Sequence, residues 1–179
     1  MSVRLLEVDD VDRYLHLTVA IAAGSGLDGE GHSHAYSESE PYDVAAFHDR
    51  EVLRWATAID KPDWRRAWGL VEGAEIVGYL QLAGGTLQSE RHRVEMGMGV
   101  ARSHRHRGGG SLLLGAAIAW ARHQQSIDWI DLGVFSDNPS AQRLYESHGF
   151  QILGRTPDRF RVDGVSLDDT EMTLNVAQI

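Results

Sequence analysis

Apolar residues recur along this chain with two periods. Alternation marks Val94, Met96, Met98 and Val100, with Glu95, Gly97 and Gly99 on the opposite face, and predicts a strand over 94–100. Spacings of three and four mark Val11, Leu15, Thr18/Val19 and Ala22, a helix that Asp9 or Asp10 can cap. A second helical pattern, opened by Pro41, runs through Val44, Phe47/His48, Val52 and Trp55 to Ile59. Leu112 to Arg122 is apolar nearly all round, which predicts a buried helix. Asn138 and Pro139 open a further helix with Ala141, Leu144/Tyr145 and His148 on one face, stopped by Gly149. Strands are expected over 2–8, 68–72, 75–83 and 127–135, and over 151–162 and 165–176, which turn at Asp163-Gly164. The segment from Gly24 to Glu40 has no apolar period and reads as a long loop of the kind that borders sites.

Strand, helix and strand in succession over 94–135 imply a parallel pair with a right-handed crossover. The overall order is α+β with a mixed sheet, and 1–179 reads as one domain, without repeats or a linker. The chain has no cysteine, which excludes disulfides, thiolate metal sites and an acyl-cysteine intermediate. No basic leader or membrane-length apolar run is visible, so a soluble, cytoplasmic protein without a membrane partner is expected. A net charge of -9 argues against general nucleic-acid binding.

Against that acidic background, Arg102 to Gly110 holds three arginines, two histidines and no acid. Helix N–H groups beginning near Gly108 lack intrahelical partners and can bind a phosphate. Arg105-His106-Arg107-Gly108-Gly109-Gly110 fits R-x-x-G-x-G between a strand and a helix. One helix and one strand later, Asn138 to Phe150 reads N-P-x-A-x-x-L-Y-x-x-x-G-F.

Together these two blocks resemble the GNAT superfamily of N-acetyltransferases. The resemblance implies a GNAT-like α+β fold: a single mixed, twisted sheet of six to seven strands flanked by about four helices. It implies acetyl-CoA as co-substrate, lying in a V-shaped opening between the strand ending at Val100 and the strand ending near Phe135. The cofactor would meet Met98, Gly99 and Val100 on the strand, the turn from Arg105 through His106, Arg107, Gly108, Gly109 and Gly110 to Ser111, and Asn138 and Ala141. Tyr145 matches the family's general acid for the leaving thiolate, and the backbone N–H of Val100 or a neighbour would polarise the thioester carbonyl.

The chemistry agrees with these residues. Arginines and backbone amides suit a pyrophosphate, and pantetheine amides suit an exposed strand edge beside Gly97 and Gly99. A lysine-like amine is mostly protonated at neutral pH, and Glu95 is the candidate base. Glu95 reads equally as an exposed residue or a partner of Arg93. The expected activity is acetyl transfer from acetyl-CoA to a primary amine of a small molecule or peptide, by direct attack in a ternary complex. The partners are that amine and, as an open option, a second copy of the chain. A non-catalytic acyl-CoA sensor of the same fold is the alternative, and a P-loop protein is disfavoured because the turn lacks its lysine. His32 and His34 have no third ligand at metal spacing, so no metal is expected. Trp64, Trp68 and Trp129 read as core or rim aromatics. The acids from Asp28 to Glu51 read as solvated surface, with steering of a cationic acceptor as the functional alternative.

Overall fold

The computed structural model describes residues 1–35 and 43–177. Its elements are β1 (Ser2–Leu5), α1 (Val11–Ala23), α2 (Val44–Ala56), β2 (Arg65–Glu72), β3 (Glu75–Gly84), β4 (Arg93–Val100), α3 (Gly109–Arg122), β5 (Trp129–Phe135), α4 (Pro139–Ser147), β6 (Gln151–Val162) and β7 (Val165–Asn175). The strands form one sheet in the order β1-β2-β3-β4-β5-β7-β6. Among the described residues only β4 and β5 are parallel; every other neighbouring pair is antiparallel. The fold is therefore the mixed-sheet, GNAT-like α+β architecture expected.

Alternation along the strands divides the core between two faces. One carries Leu80, Leu82, Val94 and Ile130 against Leu113 and Leu114 of α3 and Tyr145 of α4. The other carries Ala67 and Tyr79 beneath Tyr14, Leu15 and Ile21 of α1 and Trp55 of α2.

Several boundaries differ from expectation for local reasons. β1 stops at Leu5, and the Asp10 carboxylate does not cap α1. It accepts from Arg4, Arg13 and the Glu7 N–H instead. The Arg4 hydrogen bond leads in holding this carboxyl down to about 2. α2 is capped by Asp43, which accepts from the Ala46 N–H at 3.1 Å, and it ends at Ala56, short of Ile59, where Thr57 turns extended. The expected start at Pro41 lies outside the described residues. α3 is not buried all round: Ser111, Leu112, Gly115 and Ala119 face outward. It packs on the sheet by one side only; its outer face is mostly small residues, with Leu112 the large apolar exception at 49% exposure.

Where the parallel pair ends is the feature that matters for function. β4 and β5 pair at Arg93↔Trp129, Val94↔Ile130 and Glu95↔Asp131 and then part, although β4 continues to Val100 and β5 to Phe135. The Ala101 N–H bonds Val77 at 2.8 Å, and Gly99 and Gly97 stand opposite Tyr79 and Gln81. In an antiparallel ladder alternate residues turn their amides to opposite sides, so Met98 and Val100 turn theirs away from β3, into the gap.

Candidate active site

The gap opens into a cleft of about 990 Å³. One wall is β4 from Met96 to Val100. The other is the end of β5 with α4, presenting Phe135, Asn138, Ala141, Leu144 and Tyr145. The basic turn closes one end, and the segment Gly29–His34 borders the cleft beside it.

The turn is shaped by handedness. His106 has φ 57° and Gly108 φ 80°, so the backbone reverses hand twice and its amides converge. The first α3 bond from this turn runs from the Leu112 N–H to the Gly108 carbonyl, which leaves the amides of Gly109, Gly110 and Ser111 without intrahelical partners. A side chain at Gly109 would meet Leu70, and one at Gly110 would come within 2.8 Å of Leu144. These glycines thus let the helix start close against β2 and α4.

Arginine side chains contribute differently from expectation. Arg105 Nε donates to the Val100 carbonyl at 2.9 Å, and its guanidinium also bonds Glu30. Arg107 is turned away from the cleft and pairs with Glu72 at 3.0 Å, as does His104. Arg107, expected to meet the cofactor, thus holds its side chain outside the cleft lining in an exposed ion pair, because the alternating turn sends it to the far side. His106 lines the cleft and is exposed.

Asn138 caps α4, accepting from the Ala141 N–H at 3.1 Å, and its amide nitrogen donates to the His32 carbonyl at 3.1 Å. Tyr145 is buried at 8% exposure, lines the cleft, and packs 5.9 Å from Phe150. Burial pushes its phenol up to about 12.

Glu95 is exposed and does not line the cleft. Its alternation is as expected, but it stands at the last paired rung of β4 and β5, before the strands separate. Arg93 pairs with Asp131 at 2.5 Å, not with Glu95. Nor are Gly97 and Gly99 bare for a ligand alone. A side chain at Gly99 would meet Tyr79 and Ile21 at 3.1 Å, and one at Gly97 would meet Gln81 at 3.2 Å.

The long loop expected to border a site does so through residues 29–34, but the contacts that seat it were not foreseen. Glu30 pairs with Arg102 at 3.2 Å and with Arg105. His32 Nδ1 lies 2.6 Å from Asp137, and His34 Nε2 lies 3.0 Å from the Tyr79 hydroxyl. The two histidines therefore diverge, and among the described residues no group of three metal-binding side chains converges. Gly31 crosses the backbone of Asp137 and Asn138 so closely that a Cβ would strike both. A glycine between charged and histidine residues was the available signal. Of the acids read as surface, Glu30 lines the cleft and Glu51 is buried at 2% exposure, paired with Arg65. Glu38 and Glu40 lie outside the described residues.

Burial, then the positive charge of Arg105, lowers the His34 pKa to about 4. A folded-state pKa below the unfolded value of 6.5 means that the unfolded chain binds more protons between those limits. Stability is therefore expected to fall by roughly 2–3 kcal/mol as pH drops through that window, with some loss to solvent screening. Urea midpoints for the protein and His34→Gln, compared at the two ends of the window, check this: the variant should lose less.

Residues 31–150, more than half of the chain, match the acetyltransferase (GNAT) family. The chain belongs to that family. The GNAT match begins at Gly31 and ends at Phe150, so it takes in His32 to His34, the turn and α4. The chain is 28% identical over 95 residues to the L-amino acid N-acetyltransferase AaaT of Escherichia coli (strain K12). That alignment spans 53% of this chain and 58% of the relative. The fold matches the acetyltransferase of GNAT family from Streptococcus pneumoniae with a TM-score of 0.80, at 18% identity over 97% of this chain and 98% of that one. It also matches a GNAT superfamily phosphinothricin acetyltransferase from Sinorhizobium meliloti solved in complex with AcCoA, with a TM-score of 0.79. Identity there is 18%, over 99% of this chain and 90% of that one. Among the described residues, no helix of this GNAT protein is long and apolar enough to cross a membrane.

Proposed function

We propose that this acetyltransferase moves the acetyl group of acetyl-CoA to a primary amine of a small molecule or peptide, by direct attack in a ternary complex. The observation that carries the reading is the parting of β4 from β5 after Glu95↔Asp131, which opens a cleft also lined by Gly109, Gly110 and Ser111. Pyrophosphate fits those amides, and pantetheine fits the outward-turned edge of Met98 and Val100 as an added strand. The Val100 N–H would donate to the thioester oxygen, and Tyr145 would protonate the leaving sulfur. Asn138 shapes the cofactor wall by holding both α4 and His32. The absence of cysteine favours attack by the amine itself over an acyl-enzyme. The name of the AaaT relative makes L-amino acids the first acceptors to try, followed by other small amines and N-terminal peptides.

Initial rates of CoA thiol release across such a panel test the proposal. Intersecting double-reciprocal lines for acetyl-CoA and one amine are expected; parallel lines would contradict direct attack.

Arg105→Ala should weaken acetyl-CoA binding by about tenfold, because a charge-assisted bond to the cleft edge is lost. Arg107→Ala should move it by no more than about twofold, since its partner Glu72 is on the outer side. Calorimetric titration of both variants checks the contrast. Glu95→Gln is expected to change kcat by no more than about twofold, against the ~10²-fold or greater loss that follows removal of a general base. Steady-state rates decide it.

A further inference from the structure

With Glu95 outside the cleft, the acceptor side still needs a group to take the proton that nitrogen sheds on becoming an amide. Tyr79 and His34 meet there, hydroxyl to Nε2 at 3.0 Å, and both line the cleft. Tyr79 stands directly opposite Gly99 in the β3–β4 ladder. Because Gly99 is bare, the Tyr79 ring lies across β4, with its Cε1 at 3.1 Å from where a Cβ would be. That puts the ring beside Val100, whose amide would polarise the thioester. Tyr14 packs edge-on against Tyr79 at 5.2 Å and fixes the ring.

The histidine is held as firmly. Ser25 Oγ accepts from the His34 N–H at 3.0 Å and from the Ser33 N–H at 2.8 Å. His34 Nδ1 lies 3.2 Å from Ser33 Oγ, so a proton on Nδ1 has an acceptor and Nε2 keeps its lone pair for the phenol. The lowered pKa keeps the ring neutral near pH 7. Of the other titratable groups of the cleft, Glu30 pairs with Arg102 and Arg105, His32 with Asp137 and His104 with Glu72, while His106 is exposed on the basic turn.

We infer that Tyr79 and His34 form an acceptor-side proton relay, in which the Tyr79 oxygen meets the acceptor nitrogen and His34 Nε2 receives the phenol's proton. The inference rests on the proposed acetyl transfer. The nitrogen lone pair forms the C–N bond and the C–S bond breaks. The sulfur takes a proton from Tyr145, and the nitrogen's surplus proton passes to Tyr79 as the Tyr79 proton passes to His34. Solvent then takes the proton from His34 and returns one to Tyr145, so the cycle is balanced.

Tyr79→Phe, His34→Ala and His34→Gln test the relay, with kcat, amine KM and acetyl-CoA Kd measured for each. All three should lower kcat by about 100-fold while acetyl-CoA Kd stays within about twofold. A glutamine oxygen can accept the Tyr79 hydrogen bond but cannot carry the proton, so His34→Gln should be as slow as His34→Ala. Added imidazole should restore activity to His34→Ala and not to Tyr79→Phe. A His34→Gln rate near that of the unmodified protein would reduce His34 to positioning and overturn the relay, as would an unchanged kcat in Tyr79→Phe. If the histidine variants fold poorly, Tyr79→Phe, which removes a single oxygen, decides alone. An unmodified protein that binds acetyl-CoA but acetylates no amine would instead remove the proposed function.

Discussion

Tyr145→Phe is expected to lower kcat by about 10²- to 10³-fold while acetyl-CoA affinity stays within about twofold. The substitution keeps the ring that packs 5.9 Å from Phe150 and removes only the hydroxyl. Departure of CoA as a free thiolate would leave charge on sulfur in a partly apolar cleft, and a donor at that point acts mainly in the transition state. Burial raises the phenol to about 12, so its proton is fully present at neutral pH and is lost only as pH rises toward that value. The rate should therefore show no alkaline decline from Tyr145 below about pH 10. Steady-state kinetics alongside a binding titration separate the two effects. Equal losses in kcat and affinity would make Tyr145 a packing residue.

Gly31→Ala should lower kcat/KM for the amine by at least about tenfold, with a smaller change in acetyl-CoA affinity. An added Cβ would strike the Asp137 carbonyl and come within 2.8 Å of Asn138 Cα, and both obstacles are backbone. The segment must then lift from the β5–α4 junction. Lifting breaks the His32 N–H bonds to Asp137 at 3.2 and 3.3 Å and the Asn138 bond to the His32 carbonyl at 3.1 Å. His34, three residues on, loses its seat against Tyr79. The amides of Gly109 to Ser111, proposed above to hold the pyrophosphate, are not among the groups the added Cβ strikes, which is why the two substrates should respond differently. Kinetics with each substrate varied in turn check this; unchanged amine kinetics would mean that the segment plays no part in acceptor binding.

The parts of this molecule that were legible in its sequence are those whose causes are local. The strand, turn and helix from Val94 to Arg122 follow from alternation, glycine and apolar spacing within a few residues. The Asn138 cap and the Asp163-Gly164 turn, with φ 48° and 83°, are equally local. The position of Glu95 relative to the cleft was not legible, for a longer-range reason. Its face was correct, but the point where β4 leaves β5 depends on the register between two strands, which no single-strand pattern carries. The bare positions Gly97 and Gly99 signalled a close approach, and what approaches is largely the chain itself, through Tyr79, Gln81 and Ile21. Hardest to read was Gly29–His34. It has no period, and its hydrogen bonds reach Asp137 and Asn138 from 105 and 106 positions away in the sequence.

Acetyl transfer in the β4–β5 cleft is tested most directly by counting products. The purified protein is incubated with acetyl-CoA and an amine from the responsive class, and free CoA thiol and acetylated amine are quantified together by mass spectrometry. Equal amounts of the two are expected, both abolished without the amine and both reduced in parallel by Tyr145→Phe. Binding of acetyl-CoA with no acetylated amine from any acceptor would contradict it and leave a cofactor-sensing domain of the same fold.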